Sequence, residues 1–291
     1  MSTATTTAMA YQDRKGILGT LGRDGLLQII LIANTIIMLA PIVIMVFSAF
    51  KTTPQIFQSP FGIPDFTQVS NFVKIWTQTN FLRYLLNSIW VSLASTVLGV
   101  AVAVPAAYAF SRFSFPGKNA LFFSVLVRNM FPLVVFLIPL FILMRNLRLV
   151  DTHLSLIVTY LTFGLPLSIW LLKGFYDNIP PQLEQAARID GATRFQAFWK
   201  IVMPLSSPGI IATAIYAFIQ AWNEYVYALT FLNSDRLLTL PVGLQRFFAE
   251  YSTNWPGLMA ASFIMSVPVV VLFLVLQKHF VRALTEGAVK T

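Results

Sequence analysis

The sequence lacks cysteine altogether, and it has few of the charged residues that cover a soluble protein. Without cysteine, neither a disulfide framework nor a thiolate metal site can form. The two histidines, His153 and His279, lie far apart, and neither belongs to an HExxH-like motif. Charged residues make up 11% of the 291 residues, whereas soluble domains carry about a quarter. Because so little charge cannot cover a water-facing surface, and because mean hydropathy is +0.73, the composition predicts a membrane protein.

A nucleotide-binding loop is also missing from the sequence. Lys118 follows Gly117, but residue 112 is not glycine and residue 119 is asparagine, so the G-x-x-x-x-G-K-S/T pattern is not met. Nothing resembles a catalytic triad, a carboxylate pair or a metal cluster. We therefore expect that the chain is not an enzyme and that it holds no cofactor or metal of its own.

The charge that is present is mostly positive, with 20 Lys and Arg against 11 Asp and Glu. A nucleic-acid-binding protein would gather such charge on one soluble face. Here the basic residues are scattered through short loops between apolar runs, which is typical of contact with anionic lipid. The pattern predicts membrane lipid as a partner and excludes nucleic acid.

Six apolar stretches are each long enough to cross a bilayer. A membrane-spanning helix needs about 20 mostly apolar residues, because each residue adds about 1.5 Å across a hydrocarbon core of about 30 Å. Prolines inside these stretches are tolerated in membrane helices and often mark kinks. The pattern predicts an all-α, polytopic membrane protein with six transmembrane helices. The predicted helices are Leu27–Phe50, Leu85–Phe110, Asn119–Met144, Leu154–Lys173, Leu205–Leu232 and Gly257–Leu276.

An even number of spans places both termini on one side of the membrane. If that side is cytoplasmic, twelve Lys and Arg lie inside and seven outside, which favours this orientation by the positive-inside rule. The first apolar run is longer than the core of a signal peptide and lacks an obvious cleavage site, so we expect an uncleaved helix. The predicted organisation is a cytoplasmic tail (1–26), a transmembrane domain (27–276) and a second cytoplasmic tail (277–291).

One internal loop, residues 174–204, is much longer than the others on the predicted cytoplasmic side. Pro180 and Pro181 suit the start of a helix, and Glu184 favours the positive end of its dipole. Gly191 interrupts the helix, and a second short helix with grouped aromatic residues follows. Two interpretations remain open for this surface, the docking of another protein and simple anchoring at the lipid interface.

The same loop carries a family signature. Its sequence, LEQAARIDGATRFQAFWKIVMPLS, closely resembles the E-A-A-x3-G-x9-I-x-L-P motif of ABC-importer permeases. The spacing fits in full, but Gln185 stands where the motif has glutamate and Met203 replaces leucine. Three further segments resemble the carbohydrate-uptake permeases, and specifically the second inner-membrane subunit of the maltose type. These segments are YAFSRFSFPGK (108–118), WNEY (222–225) and EGAVKT (286–291).

The resemblance implies a type I ABC-importer permease in the bacterial cytoplasmic membrane, with 174–204 as a cytoplasmic coupling-helix loop. It further implies a heterodimer with a second permease, two ATPase subunits that hold ATP and Mg, and an extracytoplasmic solute-binding protein. The implied substrate is a sugar or oligosaccharide. On this reading the energy of ATP reaches the chain through the loop. The residues expected to couple the chain to the ATPase are Glu184, Gln185, Ala186, Ala187, Asp190, Gly191, Ala192, Phe195 and Phe198.

Polar residues in the fifth predicted helix mark a candidate translocation pathway. Lipid-facing positions would not carry them, because unsatisfied polar groups in hydrocarbon are costly. Contact with substrate and hydrogen bonding between helices remain equally open interpretations. The residues concerned are Tyr216, Gln220, Asn223, Glu224 and Tyr227.

Arg128, next to Asn129, lies near the middle of the third predicted helix, where an arginine usually has a partner or lines a wet cavity. One interpretation is a structural ion pair with Glu224. The other is a contact with an anionic group on the solute, which extends the predicted substrates to acidic sugars.

Other kinds of transporter are weaker alternatives. An ion-coupled secondary transporter usually has several intramembrane carboxylates, whereas Glu224 is the only one within the predicted spans. An ABC permease for peptides, amino acids or polyol phosphates is the nearest competitor, and the maltose-like segments count against it.

Overall fold

The computed structural model describes the backbone of residues 3–248 and 253–288, and the side chains of residues 25–245, 247–248 and 253–277. Within these residues the protein is helical and forms no strand, apart from an isolated bridge between Phe248 and Thr253. The helices are α1 (Thr3–Ala49), α2 (Thr53–Gln58), α3 (Ser70–Gln78), α4 (Phe81–Arg112), α5 (Lys118–Val127), α6 (Leu137–Asn146), α7 (His153–Asn178), α8 (Pro181–Ile189), α9 (Arg194–Ala197), α10 (Met203–Leu205), α11 (Ser207–Trp222), α12 (Val226–Phe231), α13 (Leu240–Leu244) and α14 (Trp255–Ala288).

Four of the described helices contain a continuous segment that is long and apolar enough to cross a membrane. Two further pairs of helical segments qualify together but are bent, by 103° and 72°, at a short break. The all-α, polytopic class is thus confirmed, with four spans in the described residues, or six if each bent pair is one span. The continuous segments are Gly25–Ala49, Phe81–Arg112, His153–Asn178 and Trp255–Gln277, and the bent pairs are Lys118–Met130 with Leu133–Asn146 and Arg194–Leu205 with Ser207–Trp222.

The predicted third span over Asn119–Met144 is present, but it is not one straight helix, and that part of the prediction is wrong. Helix α5 ends at Val127, a 3-10 turn follows, and the chain bends by 103° before α6. Pro132 explains the break, because proline lacks an N–H and pushes the preceding residue out of helical conformation. Phe131 is accordingly extended, with φ −90° and ψ 139°. Arg128 therefore lies at a bend in the chain and not inside a straight helix.

The prediction of a continuous fifth helix over Leu205–Leu232 is also wrong. Helix α11 ends at Trp222, and α12 begins at Val226. The Glu224 carboxylate accepts hydrogen bonds from the backbone N–H groups of Tyr227 at 2.8 Å and Ala228 at 3.1 Å. The first N–H groups of a helix have no partner within it, so this carboxylate stabilises a separate α12.

Two apolar clusters lie along opposite halves of α4 and α7, which pack side by side and against α11. The first cluster surrounds Trp222 and Phe231, and the second surrounds Leu172 and Val202. Helix α1 packs against α14, but none of the side chains in its most apolar window is buried. An apolar helix left this exposed requires lipid or another membrane subunit to cover it.

The segment after α12 is fastened to the starts of α4 and α7. The Asp235 carboxylate accepts hydrogen bonds from Asn80 at 2.6 Å and from Tyr84 at 2.8 Å. Asp151 accepts hydrogen bonds from the backbone and the hydroxyl of Ser234, and these bonds lower the pKa of the Asp151 carboxyl. These contacts fix the end of the bundle at which the first apolar cluster lies.

Candidate functional site

A cavity of about 420 Å³ opens between α4, α7 and α11, beside the break between α5 and α6 and the break between α11 and α12. Six of the seven predicted pathway residues line it, although they come from different helices: Arg128, Asn129, Tyr216, Gln220, Glu224 and Tyr227. The seventh, Asn223, is exposed where α11 ends and is not part of the lining. Tyr216 and Gln220 share one face of α11, whereas Glu224 and Tyr227 reach the cavity through the break between α11 and α12.

Aromatic rings form much of the remaining cavity wall. Phe131 follows the α5 break, while Tyr160 and Phe163 lie on α7. The Tyr227 hydroxyl donates a hydrogen bond to the backbone carbonyl of Leu133 at 2.7 Å, which joins α12 to the segment after Pro132. The sequence alone does not indicate that Tyr160 and Phe163 line a cavity, because an aromatic residue in an apolar run can equally face the core or the lipid.

Arg128 occupies this cavity without a carboxylate partner among the described residues. Its guanidinium lies 3.6 Å from the ring centroid of Phe163 and 5.3 Å from that of Phe136. Nη1 donates a hydrogen bond to Oδ1 of Asn129 at 3.0 Å. Nε and Nη2 are buried and have no hydrogen-bond partner in the described part of the chain.

Glu224 lines the same cavity, but its carboxylate is engaged by other groups. It accepts a hydrogen bond from the Tyr160 hydroxyl at 2.7 Å, in addition to the two from the start of α12. The ion pairs among the described side chains are Arg112–Glu184 and Lys173–Asp177. The structural pair between Arg128 and Glu224 that the sequence allowed is therefore not formed.

The long internal loop has the two short helices that the sequence predicts. Helix α8 begins at Pro181 and ends at Ile189, Gly191 has a positive φ of 92°, and α9 begins at Arg194. Thr193 and Gln196 form a capping box. The Thr193 backbone N–H donates to Oε1 of Gln196 at 2.8 Å, and the Gln196 backbone N–H donates to Oγ1 of Thr193 at 3.2 Å. The turn between the helices is thus fixed by a glycine on one side and by a cap on the other.

The predicted coupling residues divide into an outer and an inner group. On the outside, Phe195 is 70% exposed, and so is the neighbouring Ile189, which is not one of the predicted residues, at 86%. Seven predicted residues are exposed or half-buried: Gln185, Ala186, Ala187, Asp190, Gly191, Ala192 and Phe195. Glu184 and Phe198 are buried and point into the protein.

Glu184 anchors the loop to the end of α4. Its carboxylate accepts hydrogen bonds from Nε of Arg112 and from the Tyr108 hydroxyl, both at 2.6 Å. Nη2 of Arg112 also donates to the backbone carbonyl of Ile179 at 2.7 Å, and the ring of Phe198 lies 4.5 Å from that of Tyr108. We call Arg112, Tyr108 and Glu184 the loop anchor. Arg112 and Tyr108 lie in one of the segments that carry the family resemblance, but nothing in the sequence indicates their contact with Glu184, which lies more than 70 residues away.

Most of the chain, including the cavity and the loop, matches a known protein family. The sequence model of the family described as "binding-protein-dependent transport system inner membrane component" matches residues 95–286, a range that includes the cavity and the loop. The chain belongs to this family. The predicted ABC-importer permease is therefore confirmed, as is a multi-pass protein of the inner membrane.

Individual relatives agree with the family assignment. The permease is 36% identical to the sulfoquinovosyl glycerol transport system permease protein of Agrobacterium fabrum, over 87% of this chain and 89% of the relative. It is 35% identical to the trehalose/maltose transport system permease protein of Thermococcus litoralis, over 90% of this chain and 97% of the relative. These relatives are transporter subunits and not enzymes.

A solved structure has the same fold. The permease superposes on a chain of a bacterial ABC transporter involved in the import of the acidic polysaccharide alginate, with a TM-score of 0.74 and 23% identity. The match covers 91% of this chain and 96% of the other. This likeness shows that the two chains share a fold.

Proposed function

We propose that this permease forms one half of the translocation pathway of an ATP-driven importer for sugars or oligosaccharides. The observation that carries the proposal is the cavity beside the α5–α6 break and the α11–α12 break. Aromatic rings and polar side chains line it together, in a chain of this family. Concave sites that combine aromatic walls with a few polar groups are typical of small-molecule binding. The transport of trehalose, maltose and sulfoquinovosyl glycerol by relatives supports a carbohydrate substrate.

The proposed complex contains a second permease, two ATPase subunits and an extracytoplasmic solute-binding protein. The exposed helix α1 suits coverage by the second permease and lipid. The tip of the loop, with Ile189 and Phe195 exposed, suits a groove on the ATPase, because large apolar side chains act as anchors when a partner buries them. The adjacent exposed Ala186 permits close approach of that partner.

In this proposal the loop anchor transmits movement from the ATPase to the cavity. Closure of the ATPase subunits on ATP moves α8 as a body, and the Glu184–Arg112 contact passes this movement to the end of α4. Helix α4 also contributes Ser95 and Gly99 to the cavity wall. Because a helix rises about 1.5 Å per residue, Arg112 and Ser95 are about 25 Å apart along one continuous helix.

The orientation of the chain can be tested with single cysteines, since the native sequence has none. Gln182 on α8 and Gln58 on α2 are both exposed. We expect a membrane-impermeant thiol reagent to label Gln182→Cys only from the cytoplasmic side and Gln58→Cys only from the outside. The reverse pattern would overturn both the orientation and the proposed docking of the loop on a cytoplasmic ATPase.

Uptake measurements in a strain that lacks this permease test the proposed function. We expect the loss of uptake of one class of sugar and its recovery when the gene is restored. Uptake should stop when ATP is depleted and should continue when an ionophore collapses the ion gradients. Uptake that follows the ion gradient instead would favour a secondary transporter, although Glu224, with its carboxylate occupied, is poorly suited to carry protons.

A further inference from the structure

Arg128 presents an incomplete binding arrangement inside the cavity. A guanidinium has five N–H donors in one plane. Nε and Nη2 lie side by side along one edge, and this edge can bind a carboxylate through two parallel hydrogen bonds. In this permease Nη1 is used by Asn129, whereas Nε and Nη2 have no partner in the described residues. The edge suited to an oxyanion is thus the one that the chain leaves unsatisfied.

The position of the guanidinium is fixed by aromatic contacts and not by an anion. The Phe163 ring lies 3.6 Å from it, close enough for a cation–π interaction, and Phe136 covers it at 5.3 Å. These rings hold the side chain in place but do not satisfy its donors. Buried charged donors without acceptors are costly, so an anion that reaches this edge gains binding energy that a neutral group does not.

Glu224, whose carboxylate lines the same cavity, is not available as an acceptor for Arg128. Its oxygens accept bonds from Tyr160, Tyr227 and Ala228, and turning it toward Arg128 would leave the start of α12 without acceptors. The cavity therefore contains one fixed cation whose charge no described side chain neutralises directly.

We propose that Arg128 binds an oxyanion of the transported solute, a carboxylate or sulfonate on a sugar, through its Nε–Nη2 edge. This inference rests on the proposed function and specifies its substrate class. The cavity volume of about 420 Å³ suits a small oligosaccharide, and Phe131 and Tyr160 provide apolar walls for its rings. Because Nε and Nη2 are covered in this conformation, binding requires the side chains that cover them to move aside.

The proposal is tested on the purified complete transporter in detergent, through the rise in unfolding temperature that a bound solute causes. The probes are digalacturonate and its dimethyl ester, which differ in charge but little in size. We expect digalacturonate to act at a concentration on the order of tenfold lower than the ester, since charge-assisted bidentate bonds are strong. This preference should disappear in Arg128→Gln, weaken in Arg128→Lys, and persist in Arg145→Gln, which removes an exposed arginine.

Two results would overturn the proposal. The first is an equal response to both probes, or none to either, in the wild-type transporter. The second is a preference that survives Arg128→Gln or, if that variant does not assemble, remains at full strength in Arg128→Lys. Neither of these would remove ATP-dependent uptake of neutral sugars, so the proposed function would stand or fall separately.

Discussion

Replacing Glu184 with alanine is expected to disconnect the coupling loop from α4 and to abolish transport. Both members of the Arg112–Glu184 pair have side chains only 12% exposed, and Tyr108 donates a second bond to the carboxylate. Removing one partner leaves a buried guanidinium without its anion, which costs about 3–5 kcal/mol in comparable buried pairs. We expect a lower unfolding temperature in detergent and ATP hydrolysis that no longer responds to solute.

The chain offers a matched control for this experiment. Lys173 and Asp177 form an ion pair of similar length, 2.5 Å, but one turn apart on the same helix and 25% and 43% exposed. Because an asparagine oxygen can still accept the hydrogen bond that Ser111 donates to Asp177, we expect Asp177→Asn to change stability by about 1 kcal/mol or less and to leave transport intact. The double variant Arg112→Ala/Glu184→Ala should lose less stability than the sum of the single changes, because the two residues interact directly. Normal transport by Glu184→Ala would show that the loop anchor transmits nothing.

Replacing Gly191 with valine is expected to have the second large effect, through the backbone of the loop. At φ 92°, a side chain is strained whatever the surrounding space, and β-branched residues are the least tolerated there. The turn between α8 and α9 should reorient, moving Ile189 relative to Phe195. We expect the variant to lose the ATPase subunits during purification, or to hydrolyse ATP without control by solute.

Gly174→Ala and Gly191→Ala form the sharper comparison. An added Cβ would meet no atom within 4 Å at either position, but only Gly191 has a positive φ. Since alanine is favoured over glycine within a helix, we expect Gly174→Ala on α7 to be neutral or slightly stabilising. Equal behaviour of the two alanine variants in ATPase retention and in solute-stimulated hydrolysis would refute the role assigned to the Gly191 turn.

The start and the end of helix α8 in the loop could be predicted from the sequence, because both depend on local backbone preferences. Pro181 at a helix start and Gly191 at a helix end act through local backbone preferences, which depend little on the rest of the fold. The six apolar stretches were found for a similar reason, since crossing a bilayer sets a length and a composition. In the third stretch, Pro132 indicates a kink but not a bend of 103°, because many membrane helices contain a proline and are only slightly kinked.

The contacts that define the site could not be predicted in the same way. Arg112 and Glu184 are 72 residues apart, and no local pattern indicates that they meet. Glu224 appears as a charge in an apolar run, but its capping of α12 depends on a break that hydropathy does not show. Arg128 was found because an arginine in an apolar stretch is costly wherever it lies, whereas its contact with Phe163 required the tertiary arrangement.

If this permease converts ATP hydrolysis by partner subunits into sugar import, hydrolysis must depend on the loaded binding protein. Hydrolysis is therefore measured with the complete transporter in proteoliposomes, with the binding protein present and with or without its sugar. We expect the loaded binding protein to stimulate hydrolysis several-fold, and labelled sugar to accumulate in step with it. We also expect Glu184→Ala to remove the stimulation and Asp177→Asn to leave it unchanged. Sugar accumulation without ATP, or hydrolysis in the wild-type transporter that does not respond to the loaded binding protein, would contradict this function.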